Sequence, residues 1–273
     1  MCGIAGFWKF KSDTGAALEE NVRGMTETLK ERGPDDHGFW VDDSCGIALG
    51  HRRLSILDLS ERGHQPMTSF CGRYVIVYNG EIYNFKELKA ALAEEGVSFR
   101  TECDTEVVLA AISKWGIEEA LMNFNGMFAF ALWDKREEKL FLARDRIGIK
   151  PLYYGVQNGI LFFASELKAV RANKLFKPEL DSDSLALFFR YSYIPEPHSI
   201  YKDVNKLKQG HYIAVDKELN IRQFCYWNAL EKTESGIKDI IHRREEELVD
   251  ELENLLTDAV GMRMISDVPL GAF

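Results

Sequence analysis

The second residue of the chain is a cysteine, in the opening stretch MCGIAG. Removal of Met1, which a small second residue permits, would leave the Cys2 thiol beside its own α-amine. A free α-amine has a pKa of about 7.7–8.0, against about 10.4 for lysine, so it can accept a proton near neutral pH. The position therefore fits an N-terminal nucleophile with a built-in base. The alternative, a small buried apolar cysteine, is the more frequent case for position alone.

A thiol that attacks an acyl group needs hydrogen-bond donors for the developing oxyanion. The segment YNGEIYN, residues 78–84, offers the Asn79 side-chain amide and the backbone N–H of Gly80, where the missing side chain allows close approach. Asn-Gly after an alternating strand is also a strong hairpin pattern. We therefore predict a strand that runs into an Asn-Gly turn, although the next residues are more typical of a helix start.

Two other positions could bind the charged ends of a substrate. Arg52 and Arg53 follow a β-like run, so they face opposite sides and at most one enters a given cleft. That one could hold a carboxylate through two parallel hydrogen bonds, and a solvated charged pair is the alternative. Asp104 stands at a predicted helix start, where capping is the default role and binding of an ammonium is compatible with it. His51 and His64 are interpreted as structural.

The elements that must position these residues are mostly strands. Residues 16–33 predict an amphipathic helix that stops at Gly33-Pro34, and residues 85–96 and 104–116 predict helices closed by glycine. Residues 126–145 and 151–165 predict two hairpins. Two mainly antiparallel sheets with helices outside would bury these strands.

The pattern changes beyond about residue 180. A Pro-rich loop and a small hairpin lead to a charged stretch, and residues 242–263 predict a long amphipathic helix. The sequence finishes on ISDVPLGAF, an apolar run without turn, polar tail or cap. We expect a second domain to begin here, and we expect the helix to be mobile or to pack against a neighbouring chain.

Composition narrows the class of protein. The 273 residues carry a net charge of -9, which argues against nucleic acid, and they contain neither a membrane-length apolar run nor a secretory signal pattern. The five cysteines are far apart and form no CxxC pair, so a zinc site or a disulfide framework is not expected. Reduced thiols in a cytoplasmic protein are the simple interpretation.

Several short motifs occur in a family-specific order. They are Cys2-Gly3-Ile4, Arg32-Gly33-Pro34-Asp35, the run from His51 to Ile56, the run from Asn79 to Asn84, DRIGIKPLYY at 145–154 and FASELKA at 163–169. Together they resemble the glutamine-hydrolysing asparagine synthetases and, more broadly, class II glutamine amidotransferases of the N-terminal-nucleophile hydrolase fold. The likeness covers essentially the whole chain.

The resemblance implies a role for each member of a catalytic group. Cys2 would be the nucleophile and its freed amine the base, while Asn79 and the Gly80 N–H would form the oxyanion hole. The reaction would convert L-glutamine to glutamate and ammonia through a glutamyl-thioester.

The resemblance also assigns the residues that would bind glutamine. Arg53 would pair with the α-carboxylate, and Glu81 and Asp104 would hold the α-ammonium. Ile56 and Leu57 would line the pocket, partly through their backbone.

The implied fold is α+β, a four-layer αββα sandwich of two mainly antiparallel sheets between helical layers. Residues 1–220 would form the glutaminase domain, and residues 221–273 a linker and the start of a synthetase domain. No metal or cofactor is implied for glutamine hydrolysis, and ATP and Mg²⁺ only for the following domain. L-glutamine is the expected small-molecule partner, with no nucleic acid or membrane, and a homodimer is possible. The alternatives are a related amidotransferase that acts on a sugar acid or peptide, or a non-catalytic glutaminase-like module.

Overall fold

The computed structural model describes residues 1–10, 16–238 and 240–271. The strands in this part of the chain are β1 Gly3–Lys9, β2 Asp36–Asp42, β3 Ile47–Arg53, β4 Met67–Thr68, β5 Tyr74–Ile82, β6 Gly126–Asp134, β7 Lys139–Arg144, β8 Tyr153–Gln157, β9 Ile160–Ala164, β10 Val204–Lys206, β11 His211–Val215 and β12 Ile221–Cys225. The helices are α1 Ala16–Glu27, α2 Phe85–Glu94, α3 Asp104–Trp115, α4 Ile117–Asn123, α5 Leu167–Ala172, α6 Ser182–Tyr191, α7 Ala229–Lys238 and α8 Glu245–Arg263, with a short 3-10 turn at Glu61–Gly63.

The strands form two six-stranded antiparallel sheets. The order in the first sheet is β10-β8-β9-β1-β3-β2, and in the second it is β12-β11-β7-β6-β5-β4. The chain start is held in the middle of the first sheet, because β1 pairs with both β3 and β9. β5, which carries Asn79 and Gly80, pairs with β6 along its whole length.

Three apolar clusters separate four layers. One fills the space between the two sheets and includes Ile4 and Trp8 of β1 and Trp133 of β6. A second lies between the first sheet and helices α1 and α5, and a third between the second sheet and α2, α3 and α4. The expected αββα sandwich is confirmed.

Alternation along β1 shows how the sequence divides these layers. Ile4 and Trp8 face the inter-sheet cluster, whereas Ala5 and Phe7 face the helical layer. The ring of Trp8 lies edge-on to that of Trp133, with centroids 4.7 Å apart. Because β1 is buried on both faces, its residues from Gly3 to Trp8 include no polar side chain.

Most predicted elements are present, but the prediction of a turn at Asn79-Gly80 is wrong. β5 continues through Asn79 and Gly80 to Ile82, because β6 supplies a partner strand across both residues. A Cβ at Gly80 would lie 2.4 Å from the Met127 carbonyl oxygen, so close packing on β6 requires the glycine. Helix α1 also ends at Glu27 rather than at residue 33.

The predicted long helix is α8, which begins at Glu245 rather than at residue 242. Apolar side chains along it are more than half exposed, among them Val249, Leu252 and Leu256. The hairpins β6–β7 and β8–β9 form where the sequence predicts them. In the described part of the chain, every helix is too short or too polar to cross a lipid bilayer.

Candidate active site

One cavity of about 340 Å³ brings together every residue that the sequence singled out for binding or catalysis. Eight of its lining residues are the ones singled out from the sequence: Cys2, Arg53, Ile56, Leu57, Asn79, Gly80, Glu81 and Asp104. They come from the residue before β1, the end of β3 and the loop after it, the end of β5 and the start of α3. Segments far apart in the chain therefore meet around one cavity.

Cys2 is anchored by the strand that follows it. Gly3 pairs with Arg52 of β3, so the Cys2 side chain reaches the end of β3. Its Sγ lies 3.4 Å from the backbone nitrogen of Leu54 and 3.6 Å from the Leu54 carbonyl oxygen. The Arg32 guanidinium donates to the Cys2 carbonyl at 2.9 Å. Both the thiol and the backbone of Cys2 are thereby fixed.

Burial and hydrogen bonding act in opposite directions on the Cys2 thiol. Burial raises its pKa, while the Leu54 N–H and the neighbouring α-ammonium lower it. The pKa of the α-amine at Met1 is lowered, first by burial and then by Arg32 and Lys150. The Met1 amine is therefore deprotonated in a larger fraction of molecules at neutral pH than an exposed α-amine is.

Asn79 presents a donor without a partner. Its side chain is 1% exposed, and among the described residues its amide Nδ2 finds no hydrogen-bond acceptor. An unpaired buried donor costs about 1–3 kcal/mol, so native structures rarely keep one without a reason. The cavity beside the Cys2 thiol is where an acceptor could enter.

The backbone of Gly80 faces away from β6. Its register partner on β6 is Phe128, whose backbone hydrogen bonds point away from β5. The Phe128 N–H donates to the Asp145 carboxylate at 3.2 Å, and the Phe128 carbonyl accepts from the Asp145 N–H at 2.8 Å. Gly80 and Phe128 are therefore a pair without mutual hydrogen bonds, and the Gly80 N–H points toward the other edge of β5.

Neighbours two residues away confirm the direction of that N–H. The Tyr78 N–H donates to the Gln65 side chain at 2.7 Å, and the Ile82 N–H donates to Asp104 at 3.1 Å. Alternate residues of a strand direct their N–H groups to the same edge. Gln65 and Asp104 line the cavity, so the N–H of Gly80 points into it as well.

Arg53 lines the cavity, and Arg52 points to the opposite face of β3. The Arg53 guanidinium donates to the carbonyls of Ser60, at 3.0 Å, Leu57, at 3.2 Å, and Asp58. The alternation predicted for the two arginines is present, and neither is solvated, because both are buried. A guanidinium has five N–H donors, so two remain after these three bonds.

Asp104 does not cap its own helix. The N-cap position of α3 is Cys103, and the buried Asp104 carboxylate instead accepts from the Tyr78 hydroxyl at 3.0 Å and the Ile82 N–H at 3.1 Å. Burial raises the pKa of Asp104, and these donors oppose the rise. Burial also raises the pKa of Glu81, which lines the same cavity, and the negative charge of Asp104 raises it further.

Lys150 lines the cavity, and sequence reasoning missed it. The residue is 5% exposed, and burial lowers its pKa while Glu81 and Cys2 oppose that change. Its loop is held by Asp145, which accepts from the backbone nitrogens of Ile149 and Lys150 at 2.9 Å each. The signal that the sequence offers for Lys150 is a lone lysine between an isoleucine and a proline in DRIGIKPLYY.

Neither of the two histidines near these strands lines the cavity. His51 Nε2 contacts the Tyr78 carbonyl at 3.0 Å, and burial lowers the pKa of His51 to about 3, so the ring is neutral. His64 Nδ1 pairs with Asp36 at 2.7 Å. Across the described residues, His, Cys, Asp and Glu side chains form no group of three or more suited to a metal ion.

Comparison with known proteins decides the family. A family model described as a glutamine amidotransferase domain matches residues 1–227. The chain belongs to this family. The glutamine amidotransferase domain thus contains both sheets and the whole candidate site.

Curated relatives share this sequence at moderate identity. A putative glutamine-hydrolysing asparagine synthetase 2 of Methanocaldococcus jannaschii is 38% identical over all of this chain and 54% of its own length. The glutamine-hydrolysing asparagine synthetase 1 of Bacillus subtilis is 37% identical over all of this chain and 42% of its own. The chain therefore spans about half the length of the curated relatives it matches.

A solved structure shares the fold of the glutamine amidotransferase domain. The glutamine phosphoribosylpyrophosphate amidotransferase of B. subtilis superposes with a TM-score of 0.62 at 19% identity, over 82% of this chain and 49% of the other. At that identity the likeness concerns architecture alone.

Proposed function

We propose that this domain hydrolyses L-glutamine to glutamate and ammonia through a thioester on Cys2. The observation that carries the proposal is the unpaired, buried amide of Asn79 in the same cavity as the Cys2 thiol. A donor kept without an acceptor in the ground state can bind an oxyanion that exists only during the reaction. Membership of the glutamine amidotransferase family supports the choice of substrate.

The proposed reaction starts once Met1 has been removed. The Cys2 α-amine takes the thiol proton, and the thiolate attacks the side-chain amide carbon of glutamine. The Asn79 amide and the Gly80 N–H stabilise the resulting oxyanion. The protonated amine then gives its proton to the leaving nitrogen, the carbon–nitrogen bond breaks, and ammonia departs.

The second half of the reaction regenerates the thiol. The amine, now neutral, takes a proton from water, and the hydroxide adds to the thioester carbonyl. The same two donors stabilise the second oxyanion. The carbon–sulfur bond breaks, the sulfur recovers the proton, and glutamate leaves.

Substrate recognition uses the charged residues around the cavity. Arg53 receives the α-carboxylate, while Glu81 and Asp104 receive the α-ammonium. The methylene groups of glutamine lie against Ile56 and Leu57. The hydrolysis itself needs no metal or organic cofactor in this scheme.

We further propose that the ammonia is used to make asparagine, as the names of the relatives suggest. In that scheme residues 1–220 are the glutaminase domain, and residues 221–273 are a linker and the start of a synthetase domain, where ATP and Mg²⁺ would activate aspartate. We assign no residue of this chain to ATP or Mg²⁺. A sugar acid or peptide acceptor is the second candidate. A relative from Gibberella zeae that is 34% identical is named an amidase, amidase chry2, rather than an asparagine synthetase.

Two further parts of the proposal concern the cellular location and the oligomeric state of the protein. An active thiol must stay reduced, which favours the cytoplasm. A homodimer stays a prediction, and light scattering on the purified chain tests it.

Replacement of the nucleophile tests the proposal directly. Cys2→Ala should reduce glutamate release from glutamine to background and leave the fold intact, whereas Cys225→Ala, at an exposed thiol, should retain the wild-type rate. Mass spectrometry of the N-terminus must show that Met1 is absent from the active sample. Unchanged glutamine hydrolysis by Cys2→Ala would disprove the proposal. Absence of hydrolysis by a wild-type sample that lacks Met1 would favour a non-catalytic binding module.

A further inference from the structure

The chain returns to the candidate site after α8. The backbone N–H of Asp267 donates to the Ile56 carbonyl at 2.9 Å, and an oxygen of the Asp267 carboxylate accepts from the Asp58 N–H at 2.7 Å. Ile265 packs against the apolar cluster of the second sheet. The Arg263 guanidinium lies 4.4 Å from the centre of the Tyr83 ring. We call residues 263–267 the returning segment.

One peptide unit joins Asp267 to Arg53. The carbonyl of the Leu57–Asp58 peptide accepts from Arg53 Nη2 at 3.2 Å, and the N–H of the same peptide donates to Asp267 at 2.7 Å. The two groups of a trans peptide point in opposite directions, so the peptide is held from both sides. Leu57 itself lines the cavity.

The charges on the two sides reinforce one another. A cation at the carbonyl and an anion at the N–H both polarise the peptide in the same sense, and both hydrogen bonds are charge-assisted. Asp58 has a φ of 51°, in the left-handed region, which aspartate adopts more readily than most non-glycine residues. Its own carboxylate accepts from the Ser60 N–H at 3.1 Å, and Asp267 adds a bond to its backbone N–H.

The orientation of Arg53 depends on this loop. The acceptors of its guanidinium are the carbonyls of Leu57, Asp58 and Ser60, all within or just after the segment that Asp267 holds. If the loop moves, these carbonyls move with it. The donors of Arg53 that remain for a substrate are then misdirected.

We propose that Asp267 is a positioning residue for glutamine binding, acting on Arg53 through the Leu57–Asp58 peptide. This inference rests on the proposed function, because it assumes that Arg53 binds the glutamine carboxylate. It also makes the affinity for glutamine depend on where the returning segment lies. Displacement of that segment lowers the affinity without touching Cys2 or Asn79.

Kinetics of two variants at this position test the proposal. Asp267→Ala should raise the KM for glutamine about 10- to 100-fold, the effect of losing a charge-assisted hydrogen bond, with kcat nearly unchanged. Asp267→Asn should raise KM by less than Asp267→Ala does, because its amide oxygen still accepts from the Asp58 N–H but carries no charge. Asp258→Ala, on the exposed part of α8, is the matched control and should match wild type. An unchanged KM in Asp267→Ala would overturn the proposal.

Amide hydrogen exchange gives a readout that does not need turnover. The Asp58 amide should exchange faster in Asp267→Ala than in wild type and stay protected in Asp267→Asn. Faster exchange with an unchanged KM would show that the bond fixes the loop but does not position Arg53, which would also overturn the proposal.

Calorimetric titration with glutamine separates this proposal from the catalytic one. If the wild-type chain binds glutamine without hydrolysing it, the catalytic proposal fails, and weaker binding by Asp267→Ala would still support the positioning role. Equal binding by wild type and Asp267→Ala would overturn the positioning role. Absence of glutamine binding by the wild type would overturn both.

Discussion

The Cys2 sulfur lies 3.4 Å from the backbone nitrogen of Leu54, the residue that directly follows Arg53. The nucleophile and the arginine assigned to the substrate carboxylate are therefore fixed to the same end of β3. Gly3 on β1 and Arg52 on β3 set this relationship through strand pairing. In the proposed scheme, strand pairing sets the spacing between the nucleophile and the backbone of Arg53, and the loop of residues 57–60 orients the guanidinium.

Replacement of Asn79 by leucine should separate catalysis from folding. Asn79→Leu removes the unpaired amide but keeps a similar shape, so glutamine hydrolysis should fall about 10²- to 10³-fold while the free energy of unfolding stays equal or rises. Steady-state kinetics and urea denaturation of the same sample measure both quantities.

Asn84 provides the contrast for that experiment. Its amide donates to the Asn123 carbonyl at 3.0 Å, and its oxygen accepts from the Asn125 N–H at 3.0 Å. Asn84→Leu should therefore lose about 1–3 kcal/mol of stability and keep its kcat. A wild-type rate in Asn79→Leu would remove Asn79 from the oxyanion hole.

Lys150 should assist ionisation of the Cys2 thiol. The positive charge of Lys150 lowers the pKa of Cys2, so Lys150→Met should raise that pKa. Alkylation of Cys2 by iodoacetamide, followed as a function of pH, should shift to higher pH in the variant. Lys217→Met, in the exposed turn between β11 and β12, is the control and should leave the profile unchanged. An identical profile in wild type and Lys150→Met would show that Lys150 does not act on the thiol.

His51 should make the fold sensitive to acid. Burial lowers its pKa from 6.5 to about 3, so between these values the unfolded state binds one more proton than the folded state. The free energy of unfolding therefore rises with pH over this window, by about 1.4 kcal/mol per pH unit for one proton. As the pH falls, this contribution of His51 to stability is lost.

A variant isolates the contribution of His51. His51→Gln keeps a donor for the Tyr78 carbonyl and does not titrate, so its stability should depend less on pH than that of wild type. Urea denaturation at a series of pH values measures the difference in slope. Parallel curves for the two proteins would mean that His51 is not held neutral.

The sequence predicted the layers well because their patterns are local. Alternation of apolar residues and the Gln157-Asn158-Gly159 turn determine the hairpins within short stretches of chain. The Asn-Gly pair at residues 79–80 carries the same local pattern, yet it lies inside β5. Pairing with β6, more than forty residues later, overrides the turn preference.

The candidate site shows the same division between local and long-range information. Residue types and motif order indicated eight of the residues that line the cavity, but the direction of the Gly80 N–H depends on the register with Phe128. The role of Asp104 depends on Tyr78 and Ile82, which a helix-cap pattern does not reveal. The bond from Asp58 to Asp267 spans 209 positions of the sequence, so local analysis could not find it.

Covalent labelling with a γ-diazoketone analogue of glutamine tests the central claim most directly. Such an electrophile is recognised as glutamine and alkylates the thiol that attacks the side-chain carbonyl. After peptide mapping by mass spectrometry, we expect one adduct, on Cys2 at an N-terminus that lacks Met1, and we expect excess L-glutamine to prevent it. Labelling of Cys45, Cys71, Cys103 or Cys225 instead of Cys2 would contradict the account.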